Sequence, residues 1–115
     1  MPVKAKPSKY RNVRTEVDGV SFASKKEARR WSELLLLQRA GQIRDLERQV
    51  RFALDVNGIP ICHYVADFTY FILNPASGLE GWSFICEDSK GVETDVFKLK
   101  AKLMKAVHGI DVRLS

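Results

Sequence analysis

The sequence has few cysteines, no long apolar run, and no acidic residue among its first fifteen residues. Its two cysteines cannot build a zinc site by themselves. Because the N-terminus lacks the apolar stretch of a secretion signal, we expect both to be reduced, buried thiols. The run "LLLL" at 34–37 is far too short to span a membrane. These shortages favour a cytoplasmic protein without a membrane anchor, a structural zinc or a disulfide framework.

The 115 residues, of which 45% are hydrophobic and 29% charged, fit one globular domain. The net charge of +5 comes entirely from residues 1–15, because basic and acidic residues balance in the rest of the chain. Residues 1–12 are predicted to be a flexible basic arm and residues 13–115 one domain. A basic arm on a neutral body is typical of nucleic-acid contact, and charge alone fits a solvated tail equally well.

Turn residues and apolar periodicity predict a mixed α/β domain. Asp18-Gly19 between short alternating runs indicates a hairpin. Ser24, with Glu27 three residues later, begins a helix that Gly41 ends. Three strands, a second helix and a last strand follow, at residues 49–56, 59–73, 82–90, 94–108 and 110–114.

Charged side chains interrupt two of the predicted strands where apolar ones are expected. Because strand side chains alternate between faces, Asp88 and Lys90 share a face and Glu87 points to the other. Asp67 lies in the apolar run "HYVADFTYF", although aspartate is depleted in strands. A hairpin-like connection between the two strands would bring Asp67 beside Asp88.

Glu27 is the third acidic candidate, and its pattern has two interpretations. Helical spacing places it on one stripe with Trp31 and Leu34, so it faces inward from the start of the helix. The local pattern by itself favours a capping-box role. Gln49, which opens a predicted strand, could point toward the site, and the pattern favours a structural hydrogen bond.

Four charged groups are therefore candidates: Glu27, Asp67, Asp88 and Lys90. Together they suit a site at which a divalent cation acts on a phosphate. Mg²⁺ prefers oxygen ligands and keeps several waters, so two or three carboxylates plus a substrate phosphate are its usual partners. A lysine two residues from a metal-binding acid can orient the attacking water or stabilise developing negative charge. The spacing Asp-x-Lys carries little information alone, and more at the end of an apolar strand that follows a strand with an embedded aspartate.

With these acids and this lysine, the chain resembles the PD-(D/E)XK nuclease superfamily. The segments "DGVSFASKKEARRW", "GQIRDLERQVRFAL", "YVADFTYF" and "EDSKG" look like a family of small phage-encoded endonuclease-like proteins, related to phage endonuclease I and Holliday-junction resolvases. The resemblance runs from about Tyr10 to the end. It implies a single α/β domain with an αβββαβ restriction-endonuclease-like core, a mixed central sheet and an N-terminal hairpin.

Residue by residue, the resemblance implies a catalytic set of Glu27, Asp67, Asp88 and Lys90. Metal ligands would be Asp67, Asp88, Glu27 and the Ser89 carbonyl, with Mg²⁺ or Mn²⁺ as cofactor and no organic cofactor. Ala66 stands in place of the motif's proline, and Asp88 in place of the commoner glutamate. Glu87 would substitute for Asp88 if a bulge shifted the strand register.

The implied partner is DNA, and the implied activity is endonucleolytic hydrolysis of phosphodiester bonds, on branched or recombination-intermediate DNA. Basic side chains near the two helix starts would contact phosphates: Lys25, Lys26, Arg29, Arg30, Lys98 and Lys100. In the second helix one face carries Lys98, Lys102 and Lys105, opposite an apolar side with Leu99, Leu103 and Val107. By default the lysine face is solvated, and beside a nuclease site phosphate contact becomes about as good an interpretation. A resolvase that cuts two strands would be a symmetric homodimer. If phage-encoded, the protein would act in the bacterial host cell.

Two alternatives stay open at this stage. A non-catalytic nucleic-acid-binding module could retain the nuclease fold, and the loss of a site group would identify it. An ordinary α/β interaction domain would use these charges only at strand ends. It predicts well-separated carboxylates and no metal affinity.

Overall fold

A computed structural model describes residues 15–17, 19–77 and 81–115; the predicted arm at residues 1–12 and Asp18 of the predicted turn lie outside this part. Two short strands precede a helix, three strands, a second helix and a last strand, which confirms the predicted α/β order. The bounds are β1 Thr15–Val17, β2 Val20–Phe22, α1 Lys25–Arg39, β3 Ile43–Val56, β4 Ile59–Leu73, β5 Trp82–Asp88, α2 Asp95–His108 and β6 Val112–Leu114.

The strands form one mixed sheet and a separate hairpin. β3, β4, β5 and β6 lie side by side in that order, while β1 pairs only with β2. The β3–β4 and β4–β5 pairs are antiparallel, and β5 and β6 run parallel. Parallel neighbours need a long connection, and α2 supplies it. Consequently α2 begins at the end of β5 that carries Asp88.

The helix ends follow the predicted signals. The Ser24 side chain accepts a hydrogen bond from the Glu27 backbone N–H, and Thr94 caps α2 in the same way. Gly109 ends α2 with a φ of 68°, in the left-handed region that glycine adopts without strain. The predicted helix boundaries are therefore confirmed to within a residue or two.

β3 is longer than predicted, because it begins at Ile43 and the apolar alternation indicated residue 49. Asp45 and Gln49 both have a φ of 54°, which is uncommon for residues other than glycine. The pairing of β3 with β4 also shifts register between Arg44 and Glu47. Such irregularities break the period-two pattern on which the prediction rests.

The buried side chains form two clusters. The first contains Phe22, Ala28, Leu34, Ile43, Phe68 and Tyr70. The second contains Leu54, Tyr64, Ala66, Cys86, Phe97 and Met104. The face predicted for α2 is wrong in part, since Leu99 is 59% exposed. The residues Phe97 and Met104 are buried instead, so the apolar face of α2 is rotated relative to the prediction.

Neighbouring residues of β5 face different helices. Cys86 packs in the cluster with Phe97 and Met104 of α2, whereas Glu87 bonds to Arg30 of α1. Both cysteines of the chain are free, as predicted. Burial raises the pKa of the Cys86 thiol to about 12, so it stays protonated.

No helix in the described part of the chain is long and apolar enough to cross a membrane.

Candidate active site

Asp67 and Asp88 lie beside each other because β4 and β5 are antiparallel neighbours. Phe68 pairs with Glu87, which places the preceding residue of β4 next to the following residue of β5. Asp67 Oδ2 accepts a hydrogen bond of 2.9 Å from the Ser89 backbone N–H, just beyond the end of β5. The pairing of β4 with β5 therefore brings Asp67 and Asp88 together, as predicted.

Asp88 is 1% exposed and its two carboxyl oxygens have different surroundings. Oδ2 accepts a hydrogen bond from the Tyr64 hydroxyl. Oδ1 is buried, accepts no hydrogen bond from the described residues, and lies 3.8 Å from Lys90 Nζ. A buried carboxyl oxygen without a hydrogen bond is costly, which makes this atom a candidate to hold a ligand.

The pKa of Asp88 is raised to about 7. Burial is the main cause, because the low-dielectric surroundings disfavour the charged carboxylate. The neighbouring Asp67 raises the pKa further through a side-chain hydrogen bond and its negative charge, while Tyr64 and Lys90 act in the opposite direction. Two carboxyl groups in such a pair resist a second negative charge until a cation compensates for it.

Lys90 is held in place by contacts at both ends. Its Nζ lies 5.3 Å from the centroid of the Phe97 ring, a cation–π distance. Its backbone carbonyl accepts a hydrogen bond of 3.0 Å from Lys26 Nζ at the start of α1. The ammonium group, with the side chain 38% exposed, therefore stays between Asp88 and solvent.

Glu27 reaches the site from the first turn of α1. The residue is 5% exposed, and its Oε1 accepts a hydrogen bond of 3.2 Å from Gln49 Nε2. Arg48 Nη2 lies 3.8 Å from the same oxygen. Burial and the charge of Asp67 raise the pKa of Glu27, and Arg48 lowers it. The helix cap uses the backbone N–H of Glu27 and not its side chain. The carboxylate is therefore free of the Ser24 cap and is turned toward Gln49 and the site.

Gln49 joins two of the predicted acids. Besides its bond to Glu27, its Nε2 donates to Asp67 Oδ1 at 3.3 Å. Gln49 therefore points toward the site, which was the alternative to a purely structural hydrogen bond, since both of its partners are candidate site acids. The sequence pattern carries no signal for this link, because it depends on the cross-strand register of β3 and β4.

Glu87 belongs to a different environment from Asp88. It is fully buried, and both of its carboxyl oxygens accept hydrogen bonds from Arg30, at 2.7 and 2.8 Å. Tyr70 donates a further bond of 2.6 Å. Burial alone would raise the pKa of Glu87, but Arg30 and Tyr70 outweigh it and lower the pKa. Alternation along β5 correctly predicts that Glu87 points away from Asp88.

Arg30 is occupied by these contacts, since it also bonds to Glu33 at 3.0 Å. Arg30 therefore has a structural role, with two of its N–H groups bound to a buried carboxylate, and its phosphate contact stays a prediction. Lys25 and Arg29 are exposed on the same helix, Lys98 is exposed on α2, and Lys100 is half-buried. These four cations remain available to an anionic partner.

A cleft of about 510 Å³ opens over Glu27 and Asp67, whereas Asp88 is buried and is not among the residues that line it. Its walls come from the β2–α1 connection, β4 and the segment after β5. The lining residues are Ala23, Ser24, Lys26, Glu27, Asp67, Ser89, Lys90, Gly91, Val92 and Thr94. Acidic groups at the floor and lysines at the rim suit a ligand that is itself anionic and arrives with a cation.

The donor set fits Mg²⁺ or Mn²⁺ if the protein supplies only part of the coordination shell. No three His, Cys, Asp or Glu side chains within residues 15–17, 19–77 and 81–115 form a group that could hold a metal ion. Asp67 and Asp88 do form a carboxylate pair, in which Asp88 Oδ1 accepts no hydrogen bond from the described residues and Asp67 is bonded to the Ser89 backbone. Mg²⁺ is commonly bound by one or two carboxylates, with waters and phosphate oxygens completing its shell.

Comparison with known proteins adds a family and no activity. The profile of a family described as "Protein of unknown function (DUF1064)" matches residues 7–115. No curated protein and no solved structure matches the chain.

Proposed function

The chain belongs to the DUF1064 family, whose description gives no activity, and we propose from its site that it is a metal-dependent DNA endonuclease of the PD-(D/E)XK type. One observation carries the proposal. Asp67 and Asp88 form a carboxylate pair in which Asp88 Oδ1 lacks a hydrogen-bond partner among the described residues and lies 3.8 Å from Lys90 Nζ. An interaction domain with charges only at strand ends would not require this grouping.

Asp67 and Asp88 would hold the cation, with the Ser89 carbonyl as a further oxygen donor. When bound, the cation would neutralise charge on the attacked phosphate and make a nearby water more acidic. The raised pKa of Asp88 suits this role, because a carboxyl group that resists ionisation alone gains most from a cation. The buried pair thus favours a divalent cation over a neutral ligand.

Hydrolysis of a phosphodiester requires a water oxygen to attack phosphorus while the bond to the leaving oxygen breaks. The water loses a proton, and the leaving oxygen takes one up. Lys90, held by Phe97 and by the Lys26 contact to its carbonyl, would orient the water or stabilise the negative charge that develops on the phosphate. Lys26 at the cleft rim and the exposed Lys25 and Arg29 would hold the DNA backbone nearby.

The test is incubation of four-way junction, duplex and single-stranded DNA with and without Mg²⁺ or Mn²⁺. Wild type is compared with Asp88→Asn and Lys90→Ala, and Arg39→Ala, exposed at the opposite end of α1 from Glu27, is the matched control. We expect cation-dependent cleavage by wild type and by the control, and a loss of at least about a hundredfold in the two site variants.

A wild type that cuts none of the three DNAs, or site variants as active as the control, would contradict the proposal. DNA binding without cleavage by wild type would instead identify a nucleic-acid-binding module that retains the fold. The preference between branched and linear DNA is read from the same experiment, since the three substrates are compared at one enzyme concentration.

A further inference from the structure

Gln49 has the most unusual backbone of the residues around the site. Its φ of 54° lies in the left-handed region, in the interior of a strand of fourteen residues. A residue with a side chain adopts this conformation at some cost, and such cost is commonly found at functional sites. The flanking pairs Arg48 with Phe68 and Val50 with Ala66 keep one register, so Gln49 lies opposite Asp67.

The Gln49 side chain is placed where a negatively charged one would be unfavourable. Its Nε2 donates to Glu27 Oε1 at 3.2 Å and to Asp67 Oδ1 at 3.3 Å. Both amide hydrogens therefore go to carboxylates, which would otherwise face each other with the same charge. Gln49 itself is exposed, so burial of its side chain does not explain its conformation.

We infer that Gln49 is a positioning residue that fixes Glu27 against Asp67 and keeps Glu27 from binding the cation directly. The inference rests on the proposed function and sharpens it. Asp67 uses Oδ1 for Gln49 and Oδ2 for the Ser89 N–H, so its orientation toward Asp88 is set from both sides. Glu27 then acts through Gln49, behind the carboxylate pair.

In this arrangement Glu27 does not have the metal-ligand role that the family resemblance implies for the helix acid. Its Oε1 is shared by Gln49 and Arg48, whose guanidinium lies 3.8 Å away. Glu27 Oε1 is thus compensated by an amide hydrogen bond and a guanidinium, whereas Asp88 Oδ1 accepts no hydrogen bond from the described residues and has the Lys90 ammonium at 3.8 Å, so it gains more from a cation. The ligand set is thus two carboxylates with an amide bridge to a third.

The decisive variants are Gln49→Gly and Gln49→Ala. Both remove the amide, but only glycine adopts the observed φ without strain. Gln42→Ala is the matched control, because Gln42 is exposed just before β3 and bonds to Leu73 through its backbone carbonyl. Because glycine adopts this φ without strain, Gln49→Gly is expected to be at least as stable to unfolding as Gln49→Ala.

Cation affinity is measured first, by titration of the full chain with Mn²⁺ in the absence of DNA. We expect both Gln49 variants to bind Mn²⁺ about tenfold more weakly, because Asp67 loses a contact that orients it while Arg48 still holds Glu27 Oε1. Cleavage should show a lower kcat with KM nearly unchanged, because DNA contacts are not altered. Wild-type Mn²⁺ affinity and kcat in both variants would overturn the inference.

A double-mutant cycle without metal separates this inference from the proposed function. Glu27→Gln is combined with Gln49→Gly and, as control, with Gln42→Ala, and the urea unfolding midpoints are compared. Non-additive shifts only in the Gln49 cycle support the link between Gln49 and Glu27. Additive shifts in both cycles overturn it, even if the chain cuts DNA. A wild type that neither binds Mn²⁺ nor cuts DNA, with the coupling intact, overturns the proposed function and supports the link.

Discussion

Glu87 and Asp88 are adjacent in β5, yet each carboxylate belongs to a separate network. Glu87 is bound by Arg30 and Tyr70 beneath α1, whereas Asp88 lies beside Asp67 and Lys90. One has its pKa lowered and the other has its pKa raised to about 7. The first acid therefore contributes to stability, and the second is the one that a cation would bind.

The first prediction concerns the structural acid. Glu87→Gln leaves Arg30 without its buried counter-charge, so we expect a loss of about 3 kcal/mol in the free energy of unfolding near neutral pH. Glu33→Gln is the matched control, because Glu33 bonds to the same arginine but its side chain is 52% exposed, and its loss should stay below about 0.5 kcal/mol. Urea denaturation measures both.

The contribution of Glu87 also has a defined pH dependence. Because folding lowers its pKa, the stabilisation is present above the ordinary glutamate pKa and is lost as the pH falls through the folded value. The difference between wild type and Glu87→Gln should therefore shrink in acid. Equal losses for Glu87→Gln and Glu33→Gln would contradict the assignment.

The second prediction concerns Asp88 in the absence of metal. Folding raises the pKa of this acid, so the folded state holds a proton that the unfolded state releases, and stability falls as the pH rises from about 4 to about 7. Asp88→Asn removes that cost. We expect the variant to be more stable than wild type by about 2 kcal/mol near pH 8, with a smaller difference near pH 4. Thermal unfolding in chelator is the measurement, and a variant less stable at both pH values would refute it.

The third prediction concerns Mg²⁺ itself. Because the cation competes with the proton on Asp88, the rise in Tm with about 10 mM Mg²⁺ should be larger near pH 8 than near pH 6. Asp88→Asn should lose this rise, and Glu33→Gln should keep it. The same shift with an equal concentration of a monovalent salt would show general screening in place of a site.

The fourth prediction concerns Tyr64, whose hydroxyl bonds to Asp88. Burial and Asp88 raise the pKa of the Tyr64 phenol, so it remains a hydrogen-bond donor. Tyr64→Phe removes a bond that stabilises the carboxylate, and the pKa of Asp88 should rise. The acidic limb of the pH–rate profile for DNA cleavage should move to higher pH by about half to one unit.

Tyr70→Phe is the matched control for that profile. Tyr70 is also buried and also bonds to a carboxylate of β5, but its partner is Glu87. Its loss should lower stability and leave the position of the acidic limb unchanged. Equal shifts in the two variants would mean that the profile does not follow Asp88.

The sequence predicts those features that depend on local signals. Ser24 and Gly109 mark helix ends by their own chemistry, and alternation along β5 separates Asp88 from Glu87 without knowledge of any partner. Asp67 stands out as an aspartate inside an apolar run, and its predicted position beside Asp88 is confirmed. The helix ends and the alternation need only residues close together in the chain, whereas the place of Asp67 also needs β4 and β5 to pair.

Other features depend on contacts that sequence periodicity does not contain. The early start of β3 is hidden by Asp45 and Gln49, whose positive φ values disrupt the alternation. The Gln49 bridge and the capture of Arg30 by Glu87 join residues 22 and 57 positions apart. Leu99 is exposed because packing against the sheet, and not the local apolar pattern, sets the rotation of α2.

The Gln49 bridge and the β4–β5 pairing also determine when the site can exist during synthesis. Its side chains come from α1, β3, β4 and the end of β5, so a nascent chain still lacking β5 has neither Asp88 nor Lys90. Contacts of such separation form late, because a long loop must close before they become favourable. A ribosome-bound fragment of this protein would therefore lack the carboxylate pair and its neighbouring lysine until the sheet is complete.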